Sequence, residues 1–279
     1  GRQANSSYRE EKLMAAHEQI AVSVDGVAIY FDAQGDGAPA LVFVHGWCCD
    51  RHYWDAQVEA SVPRHTIVRI DLAGHGASGR GRSRWSAGAF GDDVAAVVRQ
   101  LGLAQVVLVG HSMGGPVIVE AARRLPEAVI GVIGVDTWPN VDKVRSHRKI
   151  AQDVAPFQAD FGTAMDNFVR RFFPTGADPA LVERVVVGMS AAPPDIAIAS
   201  ITEVRGHARE LQQGLRELTV PRIAINASPW LSDAAARDFG IDLMPMSGVG
   251  HFLMMENPER FNCLLAEAVR KCVAASSAN

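Results

Sequence analysis

Gly110-His111-Ser112-Met113-Gly114, with Gly115 next, sets one hydroxyl among small residues. A strand-like run at 105–109 enters this stretch, and a helix-like run at 116–125 leaves it. A G-x-S-x-G between a strand and a helix reads as a nucleophile elbow. The turn is so sharp that the serine takes strained backbone angles. Side chains two residues to either side would collide, and Gly110 and Gly114 avoid this. The strain lifts the Ser112 hydroxyl above the edge of a sheet. A glycine-rich turn with no chemistry is the competing reading, and the partners found elsewhere in the chain argue against it.

A serine hydroxyl is almost fully protonated at neutral pH and needs a base. Of the nine histidines, His251 in Gly248-Val249-Gly250-His251-Phe252 follows the last strand-like run, downstream of the elbow, and can reach across the sheet. His111 is expected to point into the structure, and His75 to support its own loop. The base in turn needs an acid that fixes its tautomer and stabilises the imidazolium. Two aspartates compete. Asp136 ends the apolar run 129–135, and Asp233 lies in the loop after the run 222–226. The near-strand positions of that later loop are Ala227, Ser228 and Pro229, none of which carries charge. Asp233 stands further out, before alanines, and serves equally as a helix N-cap. A charge straight after a buried strand is costly unless paired, and a protonated histidine is such a partner. Asp136 is therefore favoured, with a cap for the next helix as its structural alternative. The third requirement is a pair of amides for a developing oxyanion. His45-Gly46-Trp47 follows another apolar run, so the Trp47 and Met113 amides are the candidates.

Positioning these groups takes a sheet whose strands all end at one edge. Runs 20–24 and 27–33 read as a hairpin about Asp25-Gly26. Run 40–44 is apolar throughout, as a strand buried on both faces is, and runs 66–70, 105–109 and 129–135 read as further strands. Helices are expected at 53–59 and at 87–101, the latter with Phe90, Val94, Val97, Val98 and Leu101 in helical period. From residue 137 to 218 no strand pattern occurs. Helical stretches at 141–154, 163–173, 180–189 and 196–217 are punctuated by Pro156, Pro174, Pro179 and Pro193-Pro194. Alternation resumes with a strand at 222–226, a helix at 234–239, a strand at 243–247 and a helix at 258–275. The expected fold is α/β: a mostly parallel sheet with helices on both faces. Its core spans 1–136 and 219–279, with 137–218 inserted as a helical cap.

The chain has 279 residues, 48% of them hydrophobic, enough for one large core. A net charge of −4 without a basic stripe argues against a nucleic-acid partner. No apolar run reaches the roughly 20 residues that span a bilayer. Cys48, Cys49, Cys263 and Cys272 lack zinc spacing and suitable disulfide partners. Free thiols favour a reducing, cytoplasmic setting. The sequence opens without Met on a polar stretch, so an exported chain whose signal peptide has been removed is the alternative.

Together, His45-Gly46-Trp47, Asp71-Leu72-Ala73-Gly74-His75-Gly76-Ala77-Ser78, the elbow, and Gly250-His251-Phe252 with Glu256-Asn257-Pro258 resemble the α/β-hydrolase superfamily, of the type with a helical cap. The resemblance spans most of the chain outside the cap and is specific for fold and triad, not for substrate. It departs from the usual pattern where Ser228 and Pro229 replace an aspartate. An acid after the preceding strand is similar to the arrangement of haloalkane dehalogenases. Those enzymes and the epoxide hydrolases use an aspartate nucleophile, so Ser112 argues against both chemistries. The resemblance implies a serine esterase with an acyl-enzyme intermediate, no metal or organic cofactor, and a small-molecule ester as partner. A C–C hydrolase, lactonase, amidase or perhydrolase would keep the same triad, and a ligand receptor on this fold is the non-enzymatic alternative. Aromatic and Met residues of the cap suggest an apolar pocket, with Trp47 and Trp138 as its walls, suited to small or medium apolar esters and not to highly charged substrates.

Overall fold

The computed structural model describes residues 17–227 and 231–278. The polar residues 1–16, and Ser228 and Pro229 where the sequence offers no acid, lie outside the described residues. Eight strands form one sheet in the order β1-β2-β4-β3-β5-β6-β7-β8. β1 (His17–Val22) and β2 (Ala28–Gln34) make the antiparallel hairpin, and β2 runs antiparallel to β4 (Ile67–Ile70). Every later pairing is parallel, through β3 (Ala40–Val44), β5 (Val106–His111), β6 (Val129–Val135), β7 (Arg222–Asn226) and β8 (Ile241–Pro245). β3, β4 and β5 are buried at every position, which is why their sequences do not alternate. Arg69 in β4 and His111 at the end of β5 are the buried polar exceptions, and Asp32 on β2 accepts from Arg69 Nη2 at 2.8 Å.

The helix Ala87–Leu101 starts where Ser86 Oγ accepts from the Ala89 amide at 3.2 Å and stops at Gly102, with φ of +61°. Phe90, Val94, Val97 and Val98 form its buried stripe. Each such side chain contributes roughly 1.5–3 kcal/mol by leaving water. Phe90→Ala would cost about 3–5 kcal/mol, because a cavity would be added to the lost transfer energy.

Between β6 and β7 the chain runs through five helices: His147–Ala159, Phe161–Arg170, Pro179–Ser190, Pro194–Gly206 and Ala208–Glu217. The first begins at 147 rather than 141. Ser146 is its N-cap, accepting from the Lys149 amide at 3.2 Å, while Val141 is buried in the preceding turn. Pro156 does not break it, since a proline in the last turn removes only one amide donor. The expected single stretch 196–217 is two helices. Gly206 weakens the helix, and His207 leaves it at φ −99° and ψ 37°. After β7, the helix Asp233–Asp238 is capped by Ser232, whose Oγ accepts from the Ala235 amide at 3.2 Å. Asp233 is thus an exposed first-turn residue and not the cap. β8 starts at Ile241, two residues before the expected 243, because Gly240 ends the preceding turn at φ +61° and Ile241 already pairs with Arg222. A short helix Leu253–Glu256, which carries no strong periodic signal, precedes the long helix Pro258–Ser277. All four cysteines are unpaired. Among the described residues no single helix is long and apolar enough to cross a membrane.

Candidate active site

β5 lies in the middle of the sheet, between β3 and β6, and delivers Ser112 at its end. Ser112 has φ of +52°, a region L-residues avoid. Such strain costs about 1–3 kcal/mol and persists only where the surroundings enforce it. Here the Ser112 amide donates to Val135 O at 2.9 Å, and Thr137 Oγ1 donates to Ser112 O at 2.6 Å. A Cβ on Gly110 would lie 2.4 Å from Gly114 O, and one on Gly114 would lie 2.7 Å from Val44 O. Neither position admits a side chain.

His251 Nε2 is 2.9 Å from Ser112 Oγ, and His251 Nδ1 is 2.6 Å from Asp136 Oδ2. The carboxylate is almost fully buried, its side chain 3% exposed. Asp136 turns off β6 with φ of +42° while its amide donates to Ile225 O at 2.9 Å. Its other oxygen accepts from the Ala227 amide at 2.8 Å. Asn226, at the end of β7, braces this turn in both directions. Its Nδ2 donates to Thr137 O and its Oδ1 accepts from the Thr137 amide, both at 3.2 Å. Sequence reasoning passed over Asn226, although a polar residue closing a buried apolar strand is the same signal that marked Asp136. Asp233 is exposed and makes no contact with His251 among the described residues.

The His251 loop is fixed from two sides. Its amide donates to Phe172 O at 2.9 Å, and the Phe172 ring stacks on the imidazole with centroids 4.5 Å apart. Glu256 brackets the histidine: Oε2 accepts from the Gly250 amide at 2.8 Å and Oε1 from the Phe252 amide at 3.1 Å. Burial pushes the Glu256 carboxyl above its ordinary range, and these two amides work against the rise. Glu256 also escaped individual notice in the sequence.

The other histidines point inward. His111 is buried, and its Nε2 donates to the carbonyl of His251 at 2.9 Å. Burial, reinforced by the neighbouring His251, holds it neutral far below the usual histidine range. His75 Nδ1 donates to Ala73 O at 3.0 Å, and burial pushes its pKa down to about 3. His45 Nε2 accepts from the Leu72 amide at 3.1 Å while Nδ1 donates to Gly46 O at 2.8 Å, so its network fits the neutral ring.

Trp47 and Met113 both line the cavity that contains Ser112 and His251. Neither backbone amide has an acceptor among the described residues. The Met113 amide stands at the start of the helix Gly114–Arg124, where the helix dipole also favours negative charge. The Trp47 indole donates to Ala197 O at 2.8 Å and meets the rings of Phe157 and Phe168 edge-on. The cavity has a volume of about 690 Å³. Trp138 contributes to its wall and is 1% exposed, with an Nε1 that finds no partner among the described residues. Among the described residues, the non-glycine residues with positive φ are Cys48, Ser112, Asp136, Trp138 and Asn140, on three of the loops that form this site. Among the described residues no group of three or more His, Cys, Asp or Glu is arranged to hold a metal ion.

The chain matches the family model described as alpha/beta hydrolase fold over residues 39–181. It is 24% identical over 258 residues to a 2-(acetamidomethylene)succinate hydrolase of Mesorhizobium japonicum, covering 85% of this chain and 90% of that one. An esterase from Exiguobacterium antarcticum superposes with a TM-score of 0.81 at 20% identity, over 91% of this chain and all (100%) of that one. The enol-lactonase from Burkholderia xenovorans gives 0.78 at 18% identity, over 90% and 100%. These structural likenesses carry the fold and leave the substrate open.

Proposed function

The chain belongs to the alpha/beta hydrolase fold family, and from that premise we propose that it is a serine hydrolase of carboxylic esters. The observation that carries the reading is the continuous contact from Ser112 Oγ through His251 to Asp136, at 2.9 and 2.6 Å. In this reading His251 Nε2 takes the Ser112 proton as Oγ attacks the ester carbonyl. Nδ1–H donates to the Asp136 carboxylate, which stabilises the imidazolium as it forms. The oxyanion settles against the Trp47 and Met113 amides, whose lack of internal acceptors supports this role. Two such donors lower the barrier by several kcal/mol. His251 then hands its proton to the leaving alcohol, and the C–O bond to that alcohol breaks. Water, deprotonated by the same nitrogen, attacks the acyl-serine and releases the acid and Ser112.

The core in this reading is 1–136 with 219–279, and 137–218 serves as the cap that closes over the sheet edge. The relatives are named for hydrolase, esterase and enol-lactonase activities, which suits this chemistry, since a lactone is a cyclic ester. The deciding experiment is turnover of a panel of p-nitrophenyl esters and lactones by the wild type and by Ser112→Ala. Turnover on the order of one per second or faster is the expected result. A chain that binds ligand but turns over once would instead be a receptor.

A further inference from the structure

The cavity above Ser112 is not uniformly apolar. Lys143, Arg145, Lys149 and Arg205 line it, while among the described lining residues the single carboxylate is Asp136, already held by His251 and the Ala227 amide. Three of these cations converge on Asp153. Lys149 Nζ lies 2.6 Å from it, Arg145 Nη1 3.4 Å and Arg205 Nη1 3.8 Å. One carboxylate thus faces three positive charges. Arg205 is the least compensated. Its side chain is 23% exposed, and it donates no hydrogen bond to any described residue. Burial and the neighbouring Arg145 both oppose its charge, which a guanidinium nevertheless keeps. A half-buried cation without a matched acceptor is unfavourable for the empty protein. It becomes favourable when a ligand brings the missing anion.

Arg145, Lys149 and Arg205 also border a second cavity of about 870 Å³ that Ser112 and His251 do not line. They therefore stand where that cavity adjoins the active-site cavity. Met189, Ile201, Val204 and Leu211 supply apolar wall to the same space. Ile201, Val204 and Arg205 share one face of the helix Pro194–Gly206, by their spacing of three and four.

We infer that the substrate carries a carboxylate head on an apolar spacer, received by Arg205 with Arg145 and Lys149 while its ester carbonyl lies at Ser112. The inference rests on the ester-hydrolase reading for the reaction but not for the binding. It narrows the apolar-ester expectation to an ester whose far end is anionic. Arg205 is the specificity-determining residue, because its planar fork can meet both carboxylate oxygens.

The test compares mono-p-nitrophenyl adipate, whose free end is a carboxylate, with the same ester capped as its methyl ester. Wild-type kcat/KM should favour the carboxylate ester by about tenfold or more, the effect of a charge-assisted pair. Arg205→Gln should bring that ratio to about one, and Arg205→Lys should keep part of it. Lys149 is exposed, so Lys149→Gln does not threaten the fold, and it should lower the ratio about two- to threefold. Calorimetry of monomethyl adipate with Ser112→Ala measures the binding without turnover. Binding should vanish in the double variant with Arg205→Gln. Equal rates on both esters, or equal losses on both in the Arg205 variants, would overturn the anion site and leave the ester reading standing. Charge-dependent binding with no turnover of either ester would overturn the ester reading and uphold the anion site.

Discussion

Asp136 reaches His251 from the end of β6, with Oδ2 2.6 Å from Nδ1, because residue 136 turns off its strand at φ +42° and is held there by Ile225 O. Among the described residues, the loop after β7 contributes to this pair through the Ala227 amide. Asp136→Asn keeps the shape and removes the charge that stabilises protonated His251. It should lower kcat by about 10⁴, as the comparable change does in a serine protease. Asp233→Asn should stay near wild type, since Asp233 is exposed in the first turn of its helix. Steady-state kinetics of the two variants decide between the loops, and a crippled Asp233→Asn beside an active Asp136→Asn would reverse the assignment.

Ser112 should be the residue labelled by an organophosphonate, detected by mass spectrometry of the digested protein. Ser112→Ala should abolish the label and lower kcat by about 10⁴ to 10⁶, because the groups of such a site act as a unit. Circular dichroism should be unchanged, since Ala carries the same backbone strain at φ +52°. A variant that keeps a tenth of the activity would sink the nucleophile assignment.

Glu256 should act on the reaction through the loop it holds. Glu256→Gln leaves one carbonyl oxygen for two amides, those of Gly250 and Phe252. The unserved amide lies beside His251, and losing a hydrogen bond to a charged group costs about 1.5–3 kcal/mol. The expected result is a fall in kcat of about tenfold with KM nearly kept. A loss of thermal stability with unchanged kcat would make Glu256 a purely structural brace.

The sequence made the elbow legible because its demands are local: two glycines, a strand before and a helix after. The parallel strands were legible because double burial favours apolar residues, and Asp136 stood out as a charge straight after such a run. The strained turn at 136–140 was not legible. Of Asp136, Trp138 and Asn140, only Asp and Asn are types that tolerate positive φ, so no pattern marks a Trp there. Val141 fitted a helical period but is buried in the turn, so periodicity extended the helix too far upstream. The cations at 143, 145, 149 and 205 look like ordinary solvated charges in sequence. Only the packing of the helix His147–Ala159, with the loop that leads into it, against the helix Pro194–Gly206 gathers them around one cavity.

His75 should make stability depend on pH. Burial pushes its pKa down to about 3 in the fold, against about 6.5 when unfolded. Its neutral form is therefore the one the fold accommodates. The stability this contributes is fully present above about pH 6.5 and is lost as pH falls toward 3, because the unfolded chain binds one proton more in that window. His45 and His111, also shifted downward by burial, add slopes of the same sign. The thermal midpoint should fall steadily from about pH 6.5 to about pH 4. His75→Asn should be less stable at neutral pH and show a shallower fall. An identical slope in the variant would mean that His75 titrates normally in the folded protein.

Trp138 should set how large an acyl or alcohol group the cavity accepts. Its ring is 1% exposed, lines the cavity, and begins two residues beyond Asp136. Trp138→Ala should raise kcat/KM for p-nitrophenyl decanoate relative to the acetate, because the removed indole enlarges the wall of the cavity. It should also cost about 3–5 kcal/mol of stability, as large-to-small core changes do. Truncation so close to Asp136 could disturb the acid as well, so Trp138→Phe is the control. It keeps a ring and deletes an indole N–H that has no partner among the described residues, and should therefore be close to neutral in stability. If both variants lose activity on every ester by the same factor, the indole holds the Asp136 turn and does not select substrates. If only the Ala variant changes, and changes by chain length, Trp138 is the wall that measures the substrate.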